Sequence, residues 1–419
     1  MVNTNQSHVV VIGGGVIGAS SAYFLRQAGY RVTLLEKDAF GSGCSHGNCG
    51  LICPSDALPL ASPGAIGKTL KTLFKRHNPL YIKPRISPRL WLWLARFALR
   101  CNERHMLQAA SARMPLLESS LHLYQELLEK EQLECEWQKN GLLYVYKDAA
   151  AMEGYRATDA FLTKHFALAA KRLETCGLYE LEPAIADDVA GGWYYEDDAH
   201  LRPDRLMAEW KRILLEYDVD VREGTEVFKF KRKGINAIGV LTRDGIIEAD
   251  KFVLAVGAIS PRWEKEIGAD IPIQPGKGYS LTFPRPQYSP RIPMIFPQHR
   301  VAMTPMQTGY RLGSTMEFSG YDTKINRRRI NLLKSGAEPY LREPYGEEVV
   351  EEWFGWRPMI YHGIPIIDTS PRMDNVLVAT AHNMLGLSMG PATGKLVSEL
   401  LSGQPPHVSA DPYRLFHSK

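Results

Sequence analysis

Four stretches of the chain are largely apolar and run into glycine or a polar residue, and they set the expected frame. His8-Val-Val-Val-Ile12 is a short β-branched run of the kind buried on both faces of a parallel sheet. Gly13-Gly14-Gly15-Val-Ile-Gly18 follows, and then ASSAYFLRQAG, whose apolar positions recur at helical spacing. Residues 30–36 read as a second strand ending in an acid, residues 247–257 as an apolar strand closing in Ala255-Val-Gly257, and residues 375–380 as a further buried strand. Beyond it, residues 391–401 predict a helix with Pro391 near its first turn.

The first of these units has a chemical meaning. Gly13, Gly15 and Gly18 form G-x-G-x-x-G between a strand and a helix, where glycine permits the tight turn and the approach of a pyrophosphate to the helix N-terminus. Glu36 closes the next strand, 18 residues beyond Gly18, where a carboxylate can accept hydrogen bonds from a ribose. This unit predicts a bound dinucleotide and leaves FAD and NAD open.

Three later features favour FAD. Residues 224–227 read as a strand start, placing the backbone of Val227 against an adenine edge. The A-x-G ending at Gly257 lets the chain pass near a cofactor. The third is the segment AHNMLGLSMGPATG, residues 381–394.

That segment contains Gly386-Leu-Ser388-Met-Gly390, a match to the nucleophile elbow of serine hydrolases. An elbow needs an acid and a histidine after the serine, and only His407, Asp411 and His417 follow, close to the end of the chain. The alternative is a glycine-rich cofactor loop, with Gly386, Gly390 and Thr393 contacting the flavin. A helix N-terminus there would stabilise the negative charge that develops on the ring upon reduction.

Size and composition narrow the class. At 419 residues, two domains are expected, and 45% apolar with 23% charged residues is ordinary for a globular protein. A formal net charge of +4 gives no argument for nucleic acid, and the basic run from Asn326 to Arg329 reads as a solvated helix end. The N-terminus runs at once into a strand without a signal-peptide pattern, and no apolar stretch is long enough to span a bilayer, so a cytoplasmic protein is expected. Residues 87–100, rich in leucine, tryptophan and arginine, read as an amphipathic helix packed on the core or, alternatively, as one lying peripherally at the inner face of a membrane. Cys44, Cys49 and Cys53 match no zinc or iron–sulfur spacing, so no metal is expected and the six cysteines are expected to be reduced.

The set GGGVIGASSAYFL, GSGCSHGNCGLICPSDALPLASPG, QPGKGYSLTF, GWRPMIYHGIPIID and AHNMLGLSMGPATGKLVSELL resembles the glycine oxidase and D-amino-acid oxidase/dehydrogenase family of flavoproteins. The resemblance spans about residues 8–401 and is strongest to the bacterial D-amino acid dehydrogenases, including the branch that oxidises D-proline and hydroxy-D-proline. It implies an α/β fold: a Rossmann-like FAD-binding domain, discontinuous over residues 1–85, 200–266 and 353–419. A mixed-sheet substrate domain would be formed by residues 86–199 and 267–352.

The same resemblance assigns residues. Arg357, in Gly355-Trp-Arg357-Pro358, stands where similar enzymes hold the substrate carboxylate, a task suited to a planar two-pronged donor. Tyr279 is a candidate lid or carboxylate partner, and His382 a candidate ring or substrate contact with a structural role as its alternative. Ser45, His46, Asn48 and Gly50 fall in the loop that passes the flavin ring. His46 stands one position away from the histidine that some relatives attach to flavin, and no cysteine occurs after Cys176, so noncovalent FAD is expected.

The implied chemistry is hydride transfer from the Cα of an amino or imino acid to flavin N5, with reoxidation by a quinone or a partner protein. Two alternatives remain open: a glycine or sarcosine oxidase using oxygen, and a flavin subunit that passes electrons within a larger dehydrogenase complex.

Overall fold

In a computed structural model, which describes residues 6–67 and 80–415, two large sheets organise the chain. The first has the spatial order Ile366–Ser370, Met373–Thr380, Lys251–Leu254, His8–Ile12, Arg31–Leu35, Asp220–Arg222. All neighbours run parallel except the Ile366–Ser370 and Met373–Thr380 pair.

Both faces of this sheet are covered, which is why its strands read as unbroken apolar runs rather than alternating ones. Val9 and Val11 enter one core with Val32, Leu34, Leu377 and Ala379. Val10 and Ile12 enter a second core on the other face with Leu35, Val376 and Val378.

Four helices contribute to the first core, one of them, Pro203–Glu216, through Leu206, Met207, Trp210, Ile213 and Leu214. Val16–Gln27 packs against Gly386–Ser402, and Glu103–Lys130 packs against the latter in turn. The close approach depends on glycine. A methyl at Gly390 would lie 2.9 Å from Val16 Cγ2, and one at Gly394 would overlap the backbone of Ser20. Gly386, Gly390 and Gly394 are four residues apart and share one helical face. The last helix starts at Gly386, five residues before the expected start, and takes Pro391 inside it.

Proline there deletes the amide that would bond the Leu387 carbonyl. The Glu103–Lys130 helix repairs the gap: the Tyr124 hydroxyl donates to that carbonyl at 2.9 Å, and Ser120 Oγ accepts from the Ala392 amide at 3.0 Å. This helix therefore packs with the nucleotide-type sheet, although it falls in the span expected to form the covering domain.

The second sheet has nine strands among the described residues. Glu351–Ile360, Ile273–Phe283 and Tyr310–Phe318 lie side by side at one end, all antiparallel. The expected boundary at residue 353 falls inside Glu351–Ile360, whose hydrogen bonds run continuously to Ile273–Phe283. The strand expected to start at residues 224–227 is an irregular link between Asp220–Arg222 and Lys229–Lys233, pinned by the amide of Thr225 on the Glu36 carbonyl at 2.8 Å.

Residues 87–100 do form a helix, Pro88–Leu99, capped by Ser87. Leu90 and Trp93 pack against Phe318, Met359 and Tyr361, while Trp91, Leu92 and Leu99 stay exposed at 58%, 52% and 77%. In the basic run, Arg329 is buried over the Tyr81 ring rather than solvated.

Candidate active site

A cavity of about 520 Å³, within the usual size of small-molecule and cofactor sites, runs between the two sheets. One end is formed by Gly13, Gly15 and the N-terminus of Val16–Gln27, with Glu36 and Val227 beside them. The other is walled by Phe354, Trp356, Arg357, His382 and Met384.

Gly13 has φ of 110°, and a methyl there would lie 2.5 Å from the Ala255 carbonyl oxygen. Gly18 lies outside the wall; a methyl on it would overlap the Gly13 carbonyl, so this glycine lets the helix close down on the turn. Glu36 accepts hydrogen bonds from the amides of Gly14 at 2.7 Å and Asp38 at 3.0 Å, which fixes its carboxylate at the cavity edge. A bare glycine turn, a helix N-terminus and a held carboxylate in one elongated cavity fit the pyrophosphate and ribose of a dinucleotide.

The loop of residues 43–50 divides its candidates. Ser45 and Asn48 line the cavity, and Ser45 Oγ also accepts from the Val16 amide at 3.1 Å. His46 and Gly50 do not line it. The His46 ring turns outward, with Nε2 2.6 Å from Glu351 Oε1, and that carboxylate is the main cause raising its pKa above the ordinary value. Gly50, at φ of 75°, passes beneath the backbone of Leu201, where a methyl would overlap the carbonyl oxygen.

Behind this loop Arg311, 1% exposed, donates to the carbonyls of His46 at 3.1 Å and Asn48 at 2.9 Å. It ties the loop to the second sheet, a role with no local sequence signal.

In the final helix, Gly386 and Leu387 line the cavity, whereas Gly390 faces Val16 and Thr393 is buried with its hydroxyl 3.0 Å from His382 Nε2. The expected loop is a helix, so its glycines past the first turn serve packing rather than ligand contact. Ser388 is buried and donates to the Leu51 carbonyl at 2.9 Å, which removes the nucleophile reading. Gly257 lines the cavity as expected.

Tyr279 does not reach the site. It is 1% exposed in the core of the second sheet, with its hydroxyl 3.1 Å from Glu317 Oε2. Side chains alternate along a strand, and its neighbour Gly278 faces Arg357, so Tyr279 faces away. His382 is in the cavity wall, but burial drives its pKa down to about 3, which leaves a neutral imidazole.

Arg357 is the distinctive group. Its Nη1 donates to the Thr315 carbonyl at 2.7 Å and its Nη2 lies 3.5 Å from the Ser314 carbonyl. No carboxylate pairs with it among the described residues. Burial lowers its pKa from the ordinary value, opposed by the nearby Cys44 and Cys49. A desolvated guanidinium facing a cavity without a counter-ion is costly unless an anion completes it.

The three clustered cysteines do not converge. Cys44 lines the cavity, Cys49 packs against Gly313, and Cys53 is in the core with a thiol whose pKa burial raises. No group of metal-binding side chains occurs among the described residues.

Comparison with known proteins agrees with this geometry. The family model for FAD dependent oxidoreductases matches residues 8–400. A D-amino acid dehydrogenase of Methylobacterium radiotolerans is 30% identical, the match covering 97% of this chain and 99% of that one. One of the same name from Methylobacterium nodulans is 31% identical, covering 96% of each. Glycine oxidase from Geobacillus kaustophilus shares the fold with a TM-score of 0.79 at 20% identity, covering 99% of this chain and all of that one.

Proposed function

The chain belongs to the FAD-dependent oxidoreductase family, and from that premise we propose that it is a dehydrogenase of D-amino or D-imino acids. The observation that carries this reading is Arg357: a partly buried guanidinium with no carboxylate partner among the described residues, in the wall of the same cavity as the dinucleotide turn. The name of the full-length relatives supports the substrate class and the word dehydrogenase.

Gly13, Gly15, the N-terminus of Val16–Gln27, Glu36 and Val227 would hold the ADP half of FAD, with Ser45, Asn48, Gly257 and Gly386 along the remainder. The cofactor is held without a covalent bond in this reading, because His46 is turned outward onto Glu351. Bound there, FAD supplies the acceptor for the hydride leaving the substrate Cα.

The protein's own contribution is alignment and exclusion of water. Arg357 holds both carboxylate oxygens and thereby fixes how Cα faces the cavity. Phe354 and Trp356 give an apolar surface beside it that suits a ring such as that of D-proline or cis-4-hydroxy-D-proline. His382, neutral and hydrogen-bonded to Thr393, orients the substrate without adding charge.

The electron acceptor in this proposal is a quinone or a partner protein rather than oxygen. Trp91, Leu92 and Leu99 stand out from the Pro88–Leu99 helix, and such an apolar surface suits a membrane face. No helix among the described residues is long and apolar enough to cross a membrane. Sedimentation with anionic phospholipid vesicles, compared with a Trp91→Ser/Leu92→Ser variant, tests the contact; equal binding by the two would refute it.

The main test is an anaerobic titration with D- and L-amino acids, D-proline, hydroxy-D-proline, glycine and sarcosine, following flavin absorbance. Bleaching by D-forms alone is the expected result. Bleaching by glycine or sarcosine, with fast reoxidation by air, would instead establish the oxidase alternative.

A further inference from the structure

We propose that the backbone bulge at Ser314–Thr315 and the bare Cα of Gly278 form the seat that aims the Arg357 guanidinium, which makes Gly278 a positioning residue for substrate binding. The proposal rests on the carboxylate-binding reading of Arg357 given above.

Ile273–Phe283 and Tyr310–Phe318 are paired with Lys277 opposite Glu317 and Tyr279 opposite Ser314. Two residues, Thr315 and Met316, therefore face Gly278 alone. An extra residue in an antiparallel pair bends its strand and frees backbone groups from the ladder. Here Ser314 has φ of 125° and Thr315 φ of 55°, conformations that residues with a side chain rarely adopt. Such backbone persists only where the surroundings over-determine it, and it concentrates at ligand clamps.

What the bulge achieves is visible at Arg357. The carbonyls of Thr315 and Ser314 lie against Nη1 and Nη2, at 2.7 and 3.5 Å, so they fix the plane of the fork from one side. Gly278 fixes it from below: a methyl group built on its Cα would lie 2.3 Å from Cζ and 2.4 Å from both Nη1 and Nη2, inside van der Waals contact. A guanidinium has five N–H donors, so donors remain for a ligand in the cavity that Arg357 lines. Carbonyls hold it without neutralising it, which a carboxylate in the same place would do. The full charge is thereby left for the substrate.

The test is a double-mutant cycle of Gly278→Ala and Arg357→Ala, read as KM and kcat for a D-amino acid that bleaches the flavin. The Ki of propionate is measured alongside, with flavin content reporting the fold. Gly278→Ala is expected to raise KM and Ki by about tenfold or more, with a smaller change in kcat and full flavin content. Combined with Arg357→Ala it adds little, because both act through one group. Losses that multiply, or an unchanged KM in Gly278→Ala, overturn the proposal.

Arg357→Lys guards against a Gly278→Ala chain that fails to fold. It keeps the charge but cannot bridge two carbonyls and a carboxylate in one plane. Its KM is expected to stay about tenfold or more above that of the parent; a KM equal to the parent's overturns the proposal. If Arg357→Ala itself leaves KM unchanged, the carboxylate reading fails first, and that result is distinct from a multiplicative cycle.

Discussion

The Tyr124 hydroxyl donates at 2.9 Å to the carbonyl of Leu387, the acceptor that Pro391 leaves without its helical partner four residues on. Leu387 lines the cavity, so the Glu103–Lys130 helix stabilises the wall of the site. Tyr124→Phe is expected to lower stability by about 1–3 kcal/mol, the cost of an unpaired buried carbonyl. Chemical unfolding monitored by circular dichroism checks this; a midpoint equal to the parent's would mean that water satisfies Leu387.

Arg357→Ala removes the partly buried guanidinium proposed to hold the substrate carboxylate while leaving the glycine turn untouched. Loss of a charge-assisted bond of about 1.5–3 kcal/mol predicts a KM some tenfold to hundredfold higher with flavin still bound. Steady-state kinetics with a quinone analogue, together with the flavin-to-protein absorbance ratio, measures both. Loss of flavin in parallel would place Arg357 on the cofactor rather than on the substrate.

Glu36 has two tasks, since it holds the amides of Gly14 and Asp38 and borders the cavity. Glu36→Ala should therefore weaken FAD binding more than the loss of a ribose contact alone. A rise in Kd of about tenfold or more is expected from two charge-assisted bonds. Fluorescence titration of the flavin-free protein gives the constant, and stoichiometric flavin retained through prolonged dialysis would count against the assignment.

The His46–Glu351 pair predicts a pH dependence of stability. The carboxylate raises the folded pKa of His46, so this contribution is fully present below the unfolded value of about 6.5 and is lost as pH rises through the folded pKa. Glu351 is shifted downward, chiefly by the His46 hydrogen bond, so its contribution is present above its unfolded pKa and is lost as pH falls through the folded one. Both hold at mildly acidic pH. Glu351→Gln should thus lower Tm more at pH 6 than at pH 8.5, and an equal drop at both would show that the pair is not ionised. Both side chains are about one-third exposed, so the effect is expected to be small.

The sequence by itself determined the nucleotide end. Strand, glycine turn, helix and Glu36 are contiguous, and local sterics force that geometry wherever the chain places them; the resemblance to a flavoprotein family and the position of Arg357 were legible as well. Local pattern misjudged residues 386–394, because a glycine that opens a loop and one that lets two helices touch look alike until the partner helix is known. Only the tertiary structure decided that Gly390 faces Val16, that Tyr279 points away from the cavity, and that His46 belongs to Glu351. The seat of Arg357 was likewise hidden: positive φ at Ser314 and Thr315 is imposed by register against a distant strand, and no propensity of serine or threonine announces it. Contacts among residues tens to hundreds of positions apart set these choices, and a one-dimensional pattern carries no term for them.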